Sequence, residues 1–170
     1  SWSEVVAEGE GPVGSVDRWL NSVYHRIPFT TPSWIGVGFG QAEVYSSMTF
    51  VAEYPAGRRV AVLYPADGQT DVPWSFDSDT EFPDPAPDHG VVGPPITVTV
   101  GEAMVSGPAT NPHELELLGA RLVGPDGDLA LQTLTPDEDE FLGFALAAIP
   151  IQPLQPLTDY EVEMVVSFEG

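Results

Sequence analysis

The sequence contains no cysteine and no lysine. The first absence excludes disulfide staples, thiolate zinc sites and thiol catalysis. It leaves the redox compartment open, because many exported proteins do without disulfides. The second leaves Arg18, Arg26, Arg58, Arg59 and Arg121 to face 26 acidic residues, for a net charge of −21. Such a charge repels phosphate backbones and anionic headgroups, which argues against nucleic acid and membrane surfaces as partners. Also missing is any run of about eighteen apolar residues, so no membrane insertion is expected. The chain opens on Ser1 rather than Met and reads as a mature or trimmed product, so a missing signal peptide says nothing against export. There is no Gly-x-Ser-x-Gly elbow and no phosphate-cradling glycine loop leading into a helix.

What the chain does have is 18 prolines and 17 glycines, a composition suited to short strands joined by tight turns. One helix pattern stands out early: Val16, Trp19, Leu20 and Val23 fall on one face, with Ser15 as N-cap, Asp17 in the first turn, and Pro28 and Pro32 as stops. The period then changes to two. Ile35–Phe39 and Val44–Val51 predict an antiparallel pair, and Tyr54-Pro-Ala-Gly57 marks a boundary. Beyond it, strands are predicted at Val60–Tyr64, Val72–Phe76, Ile96–Val100, Leu115–Val123, Leu129–Leu134, Phe141–Ile149 and from Tyr160 onward. In Ile96–Val100 the alternation directs Ile96, Val98 and Val100 to a core, and Thr97 and Thr99 to water. About seven short strands of this spacing describe a β-sandwich of immunoglobulin size.

Two stretches carry resemblances. Val16-Asp-Arg-Trp19-Leu-Asn-Ser22-Val-Tyr-His25-Arg26, followed by Pro32 and Ile35-Gly-Val-Gly38, resembles the CAP superfamily of cysteine-rich secretory, venom-antigen and pathogenesis-related proteins, in particular its bacterial members. Tyr64-Pro-Ala-Asp-Gly-Gln-Thr-Asp-Val-Pro73 and Pro153-Leu-Gln-Pro-Leu-Thr-Asp-Tyr-Glu-Val162 resemble bacterial immunoglobulin-like modules, which serve as spacers or adhesive accessories. The implied fold class is α+β but mostly β: a partial CAP-like segment over 1–57, then an immunoglobulin-like sandwich over 58–170.

The CAP resemblance implies a cleft of two histidines and two acids. His25 takes the place of the second histidine and Glu4 that of one acid. The position of the other acid falls near Ser22, which cannot replace it, and the first histidine belongs upstream of Ser1. The implied setting is extracellular or cell-surface, with a protein, glycan or cell-wall ligand. Half of such a cleft favours a binding, adhesion or scaffold role, with His25 holding a turn beside Arg26. The alternative is a CAP-type hydrolase or metal-dependent enzyme using His25 and Glu4, completed by residues upstream of Ser1.

A third reading places calcium, or another divalent cation, on Asp77, Asp79 and Glu81, since alternating acids in a loop bring carboxylates within reach of one ion. The competing reading of 77–88 is a solvated acidic connection, and Asp137–Glu140 reads as a solvated turn. His89 and His113 have no paired ligand spacing. Trp2, Trp34, Trp74, Tyr24 and Tyr45 could line a glycan surface by stacking, although core packing is the commoner fate of tryptophan.

Overall fold

The computed structural model describes residues 2–9, 11–32, 34–52, 60–101 and 114–168; Arg58, Arg59 and His113 lie outside them. The described chain is mostly β, with short helices near its start.

Strand β1, Trp2–Glu8, precedes helix α1, Pro12–Leu20, and the one-turn helix α2, Ile27–Thr30. Strands β2, Trp34–Ala42, and β3, Tyr45–Ala52, form the predicted hairpin. β1 was not expected from the sequence. It adds to the other edge of β3, giving the antiparallel order β1-β3-β2. α1 begins three residues before the expected cap: Gly11 is the N-cap and Pro12 takes the first turn, where its missing N–H costs nothing. Ser15 is therefore buried inside the helix, and Asp17 lies beyond the first turn. Pro28, expected as a helix stop, instead sits second in α2, still in the first turn where its missing N–H costs nothing.

Alternation along the first sheet turns Val5, Ala7 and Phe50 inward against Trp19, with Phe29 and Trp34 beside them. The rings interlock at 4.7 Å between Phe29 and Phe50 and 4.9 Å between Trp34 and Phe50, in the tilted and edge geometries that aromatic quadrupoles favour.

The rest of the chain supplies β4 (Ala61–Tyr64), β5 (Phe76–Asp77), β6 (Val91–Val92), β7 (Ile96–Val100), β8 (Leu115–Gly124), β9 (Gly127–Leu129), β10 (Leu131–Leu134), β11 (Ala145–Pro150) and β12 (Glu161–Phe168). Two antiparallel sheets result, ordered β10-β11-β7-β4 and β12-β8-β9, with β5 and β6 as a separate pair. The predicted strand Leu129–Leu134 is broken at Ala130, where the chain leaves β8 and joins β11 in the other sheet. Only Phe76 of the expected Val72–Phe76 strand is extended in a ladder. Val98, Val100 and Leu146 of the four-stranded sheet share a core with Leu115, Leu117, Met164 and Val166 of the three-stranded one. Ile96, Leu122 and Ala148 continue that core.

The four-stranded sheet is covered on its other face too. Ala147 and Ile149 pack with Val23, Phe76, Ala86, Val92 and Leu142, so all six residues of β11 are buried. This corrects the reading of Thr97 and Thr99 as water-facing: they are 0 % and 1 % exposed. Thr99 Oγ1 lies 2.7 Å from Thr30 Oγ1, so α2 occupies the space assigned to solvent. Gly101 approaches the early segment as closely, since a Cβ there would lie 2.8 Å from Pro32 Cγ. Segments 1–57 and 58–170 therefore interdigitate side chains. Among the described residues no helix is long and apolar enough to cross a membrane.

Candidate functional site

The turn between α1 and α2 is built around an anion. Its amides point the same way, and the Glu81 carboxylate closes on them from a loop distant in sequence. Val23 N donates to Glu81 Oε2 at 2.7 Å, while Tyr24 N and His25 N donate to Oε1 at 2.7 and 3.1 Å. His25 Nδ1 lies 2.9 Å from the same Oε1. Four bonds match the roughly four acceptor positions of a carboxylate. They compensate the cost of burying Glu81, which is 4 % exposed.

The loop carrying Glu81 is itself anchored. Ser78 N and Oγ both bond to Gly90 O, at 3.0 and 2.9 Å, and Asp84 Oδ1 accepts from Ala86 N at 2.8 Å. Pro85 and Ala86 are fully buried. The picture of a long solvated connection over 77–88 is corrected in this part: its middle is a wedge under the sheet.

Arg26, next to His25, has its guanidinium inside the protein. Nε donates to Leu20 O and Nη1 to Pro95 O, both at 2.6 Å, and the group lies 4.5 Å over the Tyr64 ring. Burial lowers its pKa to about 10, which leaves it charged at neutral pH. Tyr24 donates its phenol to Asp139 Oδ2 at 2.5 Å, and Asp139 Oδ1 accepts from Phe141 N at 3.0 Å. Desolvation first, and the Asp139 hydrogen bond second, push the Tyr24 phenol well above its ordinary range. Asp139 thus removes part of the 137–140 run from the solvated-turn reading.

Beside this clamp lies a cavity of about 440 Å³, walled by Glu8, Arg18, Trp19, Asn21, His25 and Glu81 among others. The His25 side chain is 36 % exposed and Glu81 behind it 1 %, so the ring edge away from Nδ1 is the part left to meet a ligand. The Trp19 indole N–H is buried and has no acceptor among the described residues. Arg18 reaches Thr80 O at 3.4 Å and forms no ion pair among the described residues.

The sequence candidates separate into different places. Glu4 does not line the cavity; it is exposed on the outer face of β1 and accepts from Ser47 Oγ at 2.7 Å. The carboxylate brought to His25 is Glu81, a residue considered for calcium and not for this cleft. Ser22 is buried and donates to Trp19 O at 2.8 Å. Asp77 and Asp79 are exposed, whereas Glu81 is buried. A hydrogen bond with Asp84 raises the pKa of Asp79. Among the described residues no three His, Cys, Asp or Glu side chains are gathered to hold a metal ion. His89 is exposed. Trp34 is a core ring against Phe50, while Trp2 and Tyr45 lie at opposite ends of the outer face of the first sheet.

No protein family, curated protein or solved structure matches the chain.

Proposed function

We propose that the chain is an extracellular, non-enzymatic binding, adhesion or scaffold protein of bacterial type, in which a CAP-like segment is fused to an immunoglobulin-like accessory module. One observation carries the reading. The carboxylate beside His25 is spent on three backbone amides and the imidazole, so it positions the turn and keeps little capacity to activate water. The cavity beside it is lined by His25, Arg18, Asn21 and Glu8, residues able to donate to or accept from a polar ligand. The partner is a protein, a glycan or a cell-wall ligand carrying polar groups.

The test is a hydrolysis screen of the purified chain with ester, peptide and glycan substrates, in parallel with His25→Ala. The expected result is no turnover that depends on His25. Loss of a clear hydrolytic activity in His25→Ala overturns the proposal.

A second reading has an observation in its favour. An imidazole whose Nδ1 is fixed by a carboxylate is oriented as in general bases and metal ligands. This suits a CAP-type hydrolase or metal-dependent enzyme completed by residues upstream of Ser1. Repeating the screen with added divalent ions separates the two, because the binding reading predicts no ion-dependent turnover.

A further inference from the structure

The two stretches that resemble immunoglobulin-like modules carry no chemistry as sequence, yet the fold brings them together as the walls of one groove. The loop from Pro65 to Trp74 forms one side and the segment from Leu154 to Tyr160 the other, around a cavity of about 670 Å³. That size is in the range of ligand-binding clefts. The floor is apolar, with Ile96 and Leu122 only 4 % and 3 % exposed.

The walls are held by their own hydrogen bonds. Leu154 N donates to Trp74 O at 2.8 Å, Gln155 N to Tyr160 Oη at 2.7 Å, and Ala66 N to Gln69 Oε1 at 2.9 Å. A groove fixed in advance loses less entropy when it is filled. Its lips present apolar surface outward: Trp74 is 52 % exposed and Leu157 107 %. Leu157 and Asp71 both adopt left-handed backbone, at φ +55° and +58°, a conformation that costs non-glycine residues energy.

Charge and hydrogen bonding narrow the occupant. Among the described residues no cation lines the groove, whereas Asp71 and Asp159 do, and neither of these has an ion-pair partner there. The amide and hydroxyl side chains of the walls hold hydrogen bonds within the chain: Gln69 with Ala66 N and Tyr64 Oη, Gln155 with Asp126, Thr70 with Asp71, and Thr158 with Pro156 O. A second copy of this chain brings another −21 charges to the contact and is disfavoured. From this placement we infer that the groove between the 65–74 loop and the 154–160 segment docks an extended peptide of a partner protein, its apolar side chains seated against Trp74 and its lysines or arginines facing Asp71 and Asp159. Apolar contact supplies affinity and the carboxylates select the sign of the partner's charge.

Selection of a random peptide-display library on the full chain, with counter-selection on Trp74→Ala, tests this. Trp74 is half exposed, and a melting curve of the variant checks its fold. The expected survivors combine apolar residues with Lys or Arg. A synthetic copy of one survivor should bind Trp74→Ala and the Asp71→Asn/Asp159→Asn double variant at least about tenfold more weakly than the parent chain. A Glu-substituted copy should bind neither parent nor variant. The inference is overturned if no peptide distinguishes the parent from Trp74→Ala, if the survivors lack basic residues, or if the double variant binds unchanged. Trp74-dependent binding of oligosaccharides on a glycan array, with no peptide selected, overturns it as well.

Discussion

Glu81 and His25 are 56 positions apart in sequence, and Glu81 Oε1 is 2.9 Å from His25 Nδ1. The same carboxylate gathers the amides of Val23, Tyr24 and His25. One acidic side chain thus sets the conformation of the turn, the orientation of the imidazole and the docking of the early helices on the four-stranded sheet. Replacing Glu81 with Ala leaves buried N–H donors without acceptors. The expected loss is about 3–5 kcal/mol of folding stability, with a smaller loss for Glu81→Gln, which keeps one carbonyl acceptor. Urea denaturation of the two variants measures both.

Arg26 permits a sharper comparison. Its guanidinium spans two carbonyls and stacks on Tyr64. An ammonium cannot reproduce a planar fork, so Arg26→Lys is expected to lose most of what Arg26→Ala loses, about 3 kcal/mol or more. Near-wild-type stability of Arg26→Lys in the same denaturation series would show that only the charge matters.

Tyr24 gives a pH dependence with a definite sign. Its phenol pKa is raised in the folded state, so the folded protein holds the proton that the unfolded chain releases near its ordinary value of about 10. The stability it contributes is complete below about pH 10 and declines as pH rises further. Its size is limited by partial exposure. Tyr24→Phe should therefore lose stability more gently than the parent above about pH 10. Arg26 is common to both proteins and cancels in the difference. Denaturant midpoints across the alkaline range provide the check.

The elements legible in the sequence were those whose signal is local. The hairpin of β2 and β3, the alternation of β7 and β12, and the Trp19 face of α1 follow from periodicity and turn chemistry alone. β1 was missed because Trp2–Glu8 does not alternate in sequence: Val5, Val6 and Ala7 run together, and only the fold turns Val5 and Ala7 inward and leaves Val6 exposed. The exposure of Thr97 and Thr99 was misread because a strand covered on both faces needs its second cover to be known, and α2 comes from far away in sequence. His25 was singled out and does face a cavity. Its partner Glu81 was not found, since nothing in the local pattern separates a carboxylate that folds inward onto amides from its exposed neighbours Asp77 and Asp79. Arg26 and Asp139 escaped for the same reason: long-range hydrogen bonds leave no periodic trace.

The placement of Glu81 also bears on calcium. With both carboxylate oxygens committed to the turn, Asp77 and Asp79 lose the third acid of the predicted set. Millimolar calcium is expected to leave the melting temperature where chelator leaves it, because only an ion that binds the native state raises stability. A calcium-dependent rise would restore the metal reading for that loop.

Hydrogen exchange at Val23 and Tyr24 tests most directly whether the His25 turn and the sheets form one unit. Their amides point at Glu81, and Val23 shares a core with Ala147 and Ile149 of β11. The account predicts that Val23 and Tyr24 exchange with the same opening free energy as Ala147 and Ile149 in the parent chain, and faster than them in Glu81→Ala. Rapid exchange at Val23 and Tyr24 in the parent while β11 stays protected would contradict it.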